Sequence, residues 1–380
     1  MHSSPPNLLL TDAQLVTADE VITGTLEVRD GRIAAISHGG TALSSAERLG
    51  GAFLLPGLVD LHTDNFERAI EPRIGARVPG LAAMAAHDRE TAASGVTTVL
   101  DALCLTDEAD DAGRADSLGQ GLAALRMLAP SLRAEHFLHL RVELPSRDII
   151  GQFDRLAAEP GLRLVSLMDH TPGQKQFADI AAWRDLPWNR RRGAEELARI
   201  EKVFAAGAER TPHNRRAVLA RLAGSAIALA SHDDRTEAHV AEAAADGIRI
   251  AEFPVAVEAA RAAREAGMAV LGGAPNVLRG GSHSGNVAVA ELAERGLLDA
   301  LASDYVPSSL IEAMFRLHQT YGVALPAACR MASDVPAGLI GLADRGRLEV
   351  GRRADLVAAR WLPAGAVLID AVWREGVRIA

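Results

Sequence analysis

The chain has little cysteine. Cys104 and Cys329 are the only two in 380 residues, which excludes a disulfide framework and a cysteine-held zinc cluster. No stretch approaches the roughly 18 uninterrupted apolar residues of a membrane span. The opening "MHSSPPNLLLTDAQ" lacks the basic start and apolar run of a signal peptide. A reducing cytoplasm is the expected compartment. Basic residues are not in excess either. The formal net charge of −9 argues against nucleic acid as the main partner but leaves a small phosphorylated substrate open. What the chain does have is core material, with 48% hydrophobic residues against 23% charged. That suits a large soluble fold, one barrel plus an accessory module.

The two ends share a texture. "LLLTDAQLVT" and "VITGTLEVRDGRIAAIS" near the start match "GRLEVGRRADLVAARW" and "AVLIDAVWREGVRIA" near the end in their short strands and turns. "RDGR", residues 29–32, carries the Asp-Gly pair of a tight hairpin. A small β-sandwich domain built from residues 1–53 and 345–380 is expected. Between them, residues 54–344 alternate apolar strands with Ala/Leu/Glu-rich helical stretches. The strands read "GLVDLHTD", "GVTTVLDAL", "HFLHLRVEL", "LRLVSLMDH", "SAIALASHD", "GIRIAEFP", "MAVLGGAP" and "LLDALASDY". Eight β–α units predict an α/β fold, a (β/α)8 TIM-type barrel. An open doubly wound sheet is the competitor, disfavoured because no Gly-rich fingerprint follows the first strand. Residues 171–222 form an unusually long connection with eleven Lys/Arg against six Asp/Glu, a net +5. It reads either as a solvated helical face or as a cover that attracts an anion.

The chemistry of such barrels lies at the C-terminal strand ends. His62 and Asp64 end strand one, Glu143 strand three, His170 strand four, His232 strand five and Asp304 strand eight. Residues two apart on a strand share a face, so His62 and Asp64 reach into one volume, as do His139, Arg141 and Glu143. Three imidazoles and three carboxylates form a mixed N/O set for a divalent metal: zinc, manganese or iron(II). Six ligands would serve one ion, or two sharing a carboxylate bridge, with Glu143 the candidate bridge. Asp233 and Asp234 are expected to orient ligands rather than bind metal. "RGGSHSGN" follows strand seven and is expected to open a helix. Arg279, Gly280, Gly281, Ser282, His283 and Ser284 are candidate phosphate contacts there. Lys175, just past His170, is another. His87 and His239 are as readily structural as functional, and Trp183 and Trp188 are expected to anchor the insert.

With these residues in view, the pattern resembles the amidohydrolase superfamily. Its features are a metal-binding His-x-His at strand one, later strand-end histidines, a strand-eight Asp and a small sheet domain from both termini. "GRLEVGRRADLVA" is similar to its C-terminal signature. Two departures stand out: Asp64 replaces the second His, and no lysine matches the carboxylated bridge of many members. "LLPGLVDLHTDNFERAIEPR", "HDRETAASGVTTVLDA", "VSLMDHTPGQKQF" and "GAPNVLRGGSHSGNVA" resemble one subgroup, the PhnM-type diphosphatases of carbon–phosphorus lyase metabolism. The resemblance implies that His62, Asp64, Glu143, His170, His232 and Asp304 hold one or two divalent ions, zinc or manganese. It implies Asp304 as general base, and hydrolysis of α-D-ribose 1-methylphosphonate 5-triphosphate to the 5-phosphate and diphosphate. Other phosphonate-pathway proteins and a second copy of the chain are the partners it admits. The rival readings are an amide, urea or lactone hydrolase, a deaminase, or a non-catalytic barrel in an assembly.

Overall fold

The computed structural model describes residues 7–73, 75–106, 112–186, 189, 190, 192–282 and 285–380. Five strands come first: β1 Leu8–Val16, β2 Val21–Arg29, β3 Arg32–His38, β4 Glu47–Arg48 and β5 Phe53–Pro56. Barrel strands follow: β6 Leu58–Thr63, β7 Val96–Leu105, β8 Glu135–Glu143, β9 Leu162–Met168, β10 Ala228–His232, β11 Ile250–Glu252, β12 Ala269–Gly273 and β13 Ala300–Ala302. The chain ends with β14 Leu356–Leu362, β15 Ala366–Arg374 and β16 Val377–Arg378.

The terminal strands join into one sheet in the order β16-β15-β14-β5-β1-β2-β3, with β4 beside β1. The sheet therefore takes in β5, to Pro56. Leu10, Leu15, Leu26, Leu54, Leu356 and Trp373 pack in a core of its own. The β2–β3 hairpin turns at Asp30 and Gly31, with φ of 51° and 73°. Two successive left-handed residues match the twist of an antiparallel pair, which is why Asp-Gly serves there.

The eight central strands pair in parallel in sequence order from β6 to β13. Their side chains divide by pleat. Val59, Leu61, Leu164, Ile250 and Leu271 fill the barrel interior, while Leu58, Val165, Ala251 and Val270 face the helices. Each fully buried Leu or Ile contributes about 1.5–3 kcal/mol, so both faces of the sheet stabilise the closed form. The ring closes where β6 meets the end of β13. Asp304 N donates to His62 O at 2.9 Å and Asp64 N donates to Asp304 O at 2.6 Å.

A register shift lies in β6 between Asp60 and Thr63. An extra residue switches which side chains point inward. Val59 and Leu61 face the barrel interior, and past the bulge His62 and Asp64 do. Asp60 holds the irregular backbone: its Oδ1 accepts from His62 N at 3.3 Å and from Ser303 N at 3.0 Å.

The long connection contains a 3-10 turn at Lys175–Phe177 and helices Ile180–Arg184, Ala194–Ala208 and Thr211–Leu222. The last docks on the barrel, where Asn214 Nδ2 donates to Leu144 O at 2.8 Å and Val218 is fully buried. Trp183 is buried and anchors the insert as expected; Trp188 lies outside the described residues. No helix among the described residues is long and apolar enough to cross a membrane.

Candidate functional site

The strand ends open into a cavity of about 630 Å³, whose wall carries His62, Asp64, His170, His232, Asp233 and Asp304. Among these wall residues, two groups of three have ligand atoms within 4.8 Å of one another. One is His62, Asp64 and Asp304; the other is His170, His232 and Asp233.

Glu252, at the end of β11, supports both groups. His62 Nδ1 donates to its Oε1 at 2.8 Å and His232 Nδ1 donates to its Oε2 at 2.6 Å. Ser166 Oγ also donates to Oε2, at 2.8 Å. A carboxylate buried without such donors would cost several kcal/mol. With them, burial is outweighed and the Glu252 pKa falls well below the usual range. The charged carboxylate fixes the tautomer of both rings and leaves each Nε2 facing the cavity side.

Glu143 plays the same part for His170. Its Oε1 accepts from His170 N at 2.9 Å and its Oε2 accepts from Nδ1 at 2.6 Å. Burial opposes ionisation of Glu143, but His170 outweighs it and lowers the pKa to about 2. The carboxylate thus lies on the cavity wall with both oxygens engaged by one histidine.

Asp64 is gripped by Arg141, whose Nη1 lies 2.8 and 2.9 Å from its two oxygens. Burial again opposes the charge, and Arg141 overcomes it to hold the Asp64 pKa below the ordinary carboxylate range. Asp304 goes the other way. Burial, reinforced by the Asp64 charge, raises its pKa to about 7. Burial also disfavours a charged His62, yet Glu252 and Asp64 outweigh it and lift that pKa to about 10. Such a site draws positive charge.

The donor set fits a divalent cation. His62 Nε2 and Asp233 Oδ2 are buried with no hydrogen-bond partner among the described residues. Each such orphan costs about 1–3 kcal/mol unless something fills the gap. Asp64 Oδ1 lies 3.4 Å from His62 Nε2, and Asp233 Oδ2 lies 3.4 Å from His232 Nε2 and 3.8 Å from His170 Nε2. Imidazole nitrogens and carboxylate oxygens facing one another at these separations suit a divalent cation. A further acid–histidine group, His87, Asp101 and His136, is consumed internally: His87 Nε2 donates to Asp101 at 2.6 Å and His136 Nδ1 at 2.9 Å.

The structure thus brings together five of the six expected ligand positions as facing atoms, with Glu143 behind His170, and it adds two residues. Asp233 joins its neighbouring histidines because its backbone turns left-handed, φ 55°. That brings a side chain expected to orient ligands into the same space as the histidines, where strict strand alternation would turn it away. Glu252 shares its inward face with Ile250, the alternation that singled out Glu143, so the signal was present in "IRIAEF".

The phosphate loop differs from expectation. A helix, Ala274–Arg279, intervenes after β12, and Gly280 caps its C-terminus with φ 73°. Carbonyls rather than amides end a helix there, so Gly280 and Gly281 form no N-terminal anion cradle. The next helix starts only at Val289. Arg279 and Ser282 do reach the cavity wall, while His283 and Ser284 lie outside the described residues. Lys175 does not line the cavity. Its Nζ donates to His232 O at 2.8 Å and Asp234 Oδ1 at 3.0 Å, bracing the loop that follows β10. His239 Nδ1 accepts from Arg235 N at 3.2 Å in a helix cap.

Comparison with known proteins agrees with this architecture. Residues 53–369 match the model of the amidohydrolase family. A protein of Escherichia coli (strain K12) named alpha-D-ribose 1-methylphosphonate 5-triphosphate diphosphatase is 43% identical over 378 residues, 98% of this chain and 100% of its own. Among solved structures, N-acetyl-D-glucosamine-6-phosphate deacetylase from Mycobacterium smegmatis shares the fold with a TM-score of 0.65 at 19% identity, covering 98% of this chain and 100% of its own. So does 5-methylcytosine deaminase from Klebsiella pneumoniae liganded with 5-fluorocytosine, with a TM-score of 0.66 at 16% identity, covering 98% and 97%. The chain belongs to the amidohydrolase family.

Proposed function

We propose that this chain hydrolyses alpha-D-ribose 1-methylphosphonate 5-triphosphate with water, giving the 5-phosphate and diphosphate in phosphonate metabolism. The observation that carries the reading is the 43% identity, end to end, with the Escherichia coli protein of that name. The cavity supports it, since Arg114, Arg141, Arg192, Arg199 and Arg279 share its wall with the acid–histidine cluster. Five guanidinium groups suit a polyanion better than the neutral amide of the rival reading.

His62, Asp64 and Asp304 would hold one divalent ion, zinc or manganese, and His170, His232 and Asp233 a second. A bound ion would acidify water and offset phosphoryl charge. Glu252 and Glu143 engage Nδ1 of the imidazoles and so keep each Nε2 turned to the cavity. Arg141 holds Asp64 ionised. Asp304 takes the proton of the attacking water, a task suited to a carboxylate at the rim of the reacting volume. Arg279 and Ser282 bind phosphate oxygens. A highly charged triphosphate does not cross a bilayer unaided, so a cytoplasmic location belongs to the same reading.

Phosphorus NMR of the purified chain with this triphosphate and zinc or manganese tests it. Diphosphate and a 5-monophosphate should appear in equal amounts. Stepwise release of orthophosphate, or hydrolysis of cyclic amides alone, would overturn it.

A further inference from the structure

Helix Ala194–Ala208 turns Arg199, Ile200, Val203 and Phe204 onto the cavity wall. These positions recur at the three- and four-residue spacing of a single helical face. The helix is held over the cavity at its far end. Gly207 lies against Pro145, where a Cβ would come within 2.6 Å of Pro145 Cβ and 2.7 Å of its carbonyl oxygen. Arg210 Nη2 donates to that same oxygen at 2.8 Å. On another face, Glu201 accepts from Arg184 Nε at 2.6 Å and Nη2 at 2.8 Å.

The five cavity arginines differ in what already occupies them. Arg141 is taken by Asp64. Arg114 stands 3.8 Å from Glu67, Arg192 donates to Glu196 at 3.2 Å and Arg279 to Tyr305 Oη at 3.1 Å. Arg199 alone has no ion pair or hydrogen bond among the described residues. Its charge is therefore uncommitted, and its neighbours on the helical face are apolar.

We infer that Arg199, flanked by Ile200, Val203 and Phe204, binds the 1-methylphosphonate end of the substrate. An alkylphosphonate offers an anion for the guanidinium and a methyl group for the apolar side chains. A diphosphate offers only charged oxygens, which Ile200, Val203 and Phe204 would desolvate without pairing. The opposite, reacting end then lies at the acid–histidine cluster. The basic insert thus reads the group at C1, and sets which ribose triphosphates are accepted. This rests on the function proposed above.

The test compares two substrates, the 1-methylphosphonate 5-triphosphate and ribose 5-triphosphate lacking that group. The ratio of their kcat/KM values in the native chain is set against that in Arg199→Ala and Arg199→Lys. The Ala variant should lower the ratio roughly tenfold, through KM, as expected for one charge-assisted contact, and Lys should restore part of it. An equal loss on both substrates would place Arg199 at the diphosphate end and overturn the inference, as would an unchanged ratio. Failure of the native chain on both substrates would instead defeat the functional reading itself.

Discussion

Glu252 and His62, 190 positions apart in the chain, meet through a 2.8 Å hydrogen bond from Nδ1 to Oε1. The other oxygen of the same carboxylate takes the proton of His232 Nδ1 at 2.6 Å. One buried acid thus orients one histidine from each acid–histidine group.

Glu252→Gln tests that arrangement. A glutamine has one acceptor oxygen, so only one of the two imidazoles can keep donating from Nδ1. The other must accept from the amide and carry its proton on Nε2, the atom meant for metal. Metal affinity should fall by roughly 10–100-fold, read by competition with a chromophoric chelator. Native affinity in this variant would remove Glu252 from the site.

Asp304→Asn should cut turnover by roughly 10²–10⁴-fold, the range for losing a general base. The fold should survive. Asp304 has φ 57°, a left-handed conformation that asparagine adopts readily. Circular dichroism should show an unchanged melting temperature alongside the kinetic loss, and normal turnover would exclude Asp304 from proton transfer.

Arg279→Ala should raise KM for triphosphates roughly tenfold with a smaller effect on kcat. Initial-rate kinetics measures this. An unchanged KM would leave the stretch from 279 to 286 as an ordinary connection.

Away from the cavity, His136 makes the fold sensitive to alkali. Burial disfavours its imidazolium, but Asp101 and Asp88 outweigh that and raise its pKa from 6.5 to about 9. A raised pKa in the folded state contributes stability that is fully present below 6.5 and lost as pH rises through about 9. His136→Gln should therefore lower the melting temperature most near pH 6, and the gap to the native protein should narrow by about pH 9.5. A gap that does not depend on pH would contradict the charged pairing.

The eight barrel strands were legible because each is an apolar run bounded by turn residues, and His62, His170, His232 and Asp304 because polar groups interrupt those runs at their ends. What escaped was set by backbone geometry. Alternation places Asp233 opposite His232, and only its positive φ brings the two together. The bulge in β6 is invisible in "LVDLHTD", although it is what turns His62 inward above Leu61. The glycines after Arg279 suggested an anion cradle, but "APNVLR" was too short to register as the helix they terminate. Lys175 looked available because nothing in the sequence shows that His232 O and Asp234 lie across the loop from it.

The central claim is that His62, His170 and His232, with their neighbouring carboxylates, hold divalent metal that supplies the nucleophilic water. The most direct measurement is a titration of chelator-stripped protein with zinc or manganese, recording bound metal and diphosphate release on the same samples. Activity rising from zero in step with occupancy is the predicted result. Full turnover by protein shown to be free of metal would contradict it.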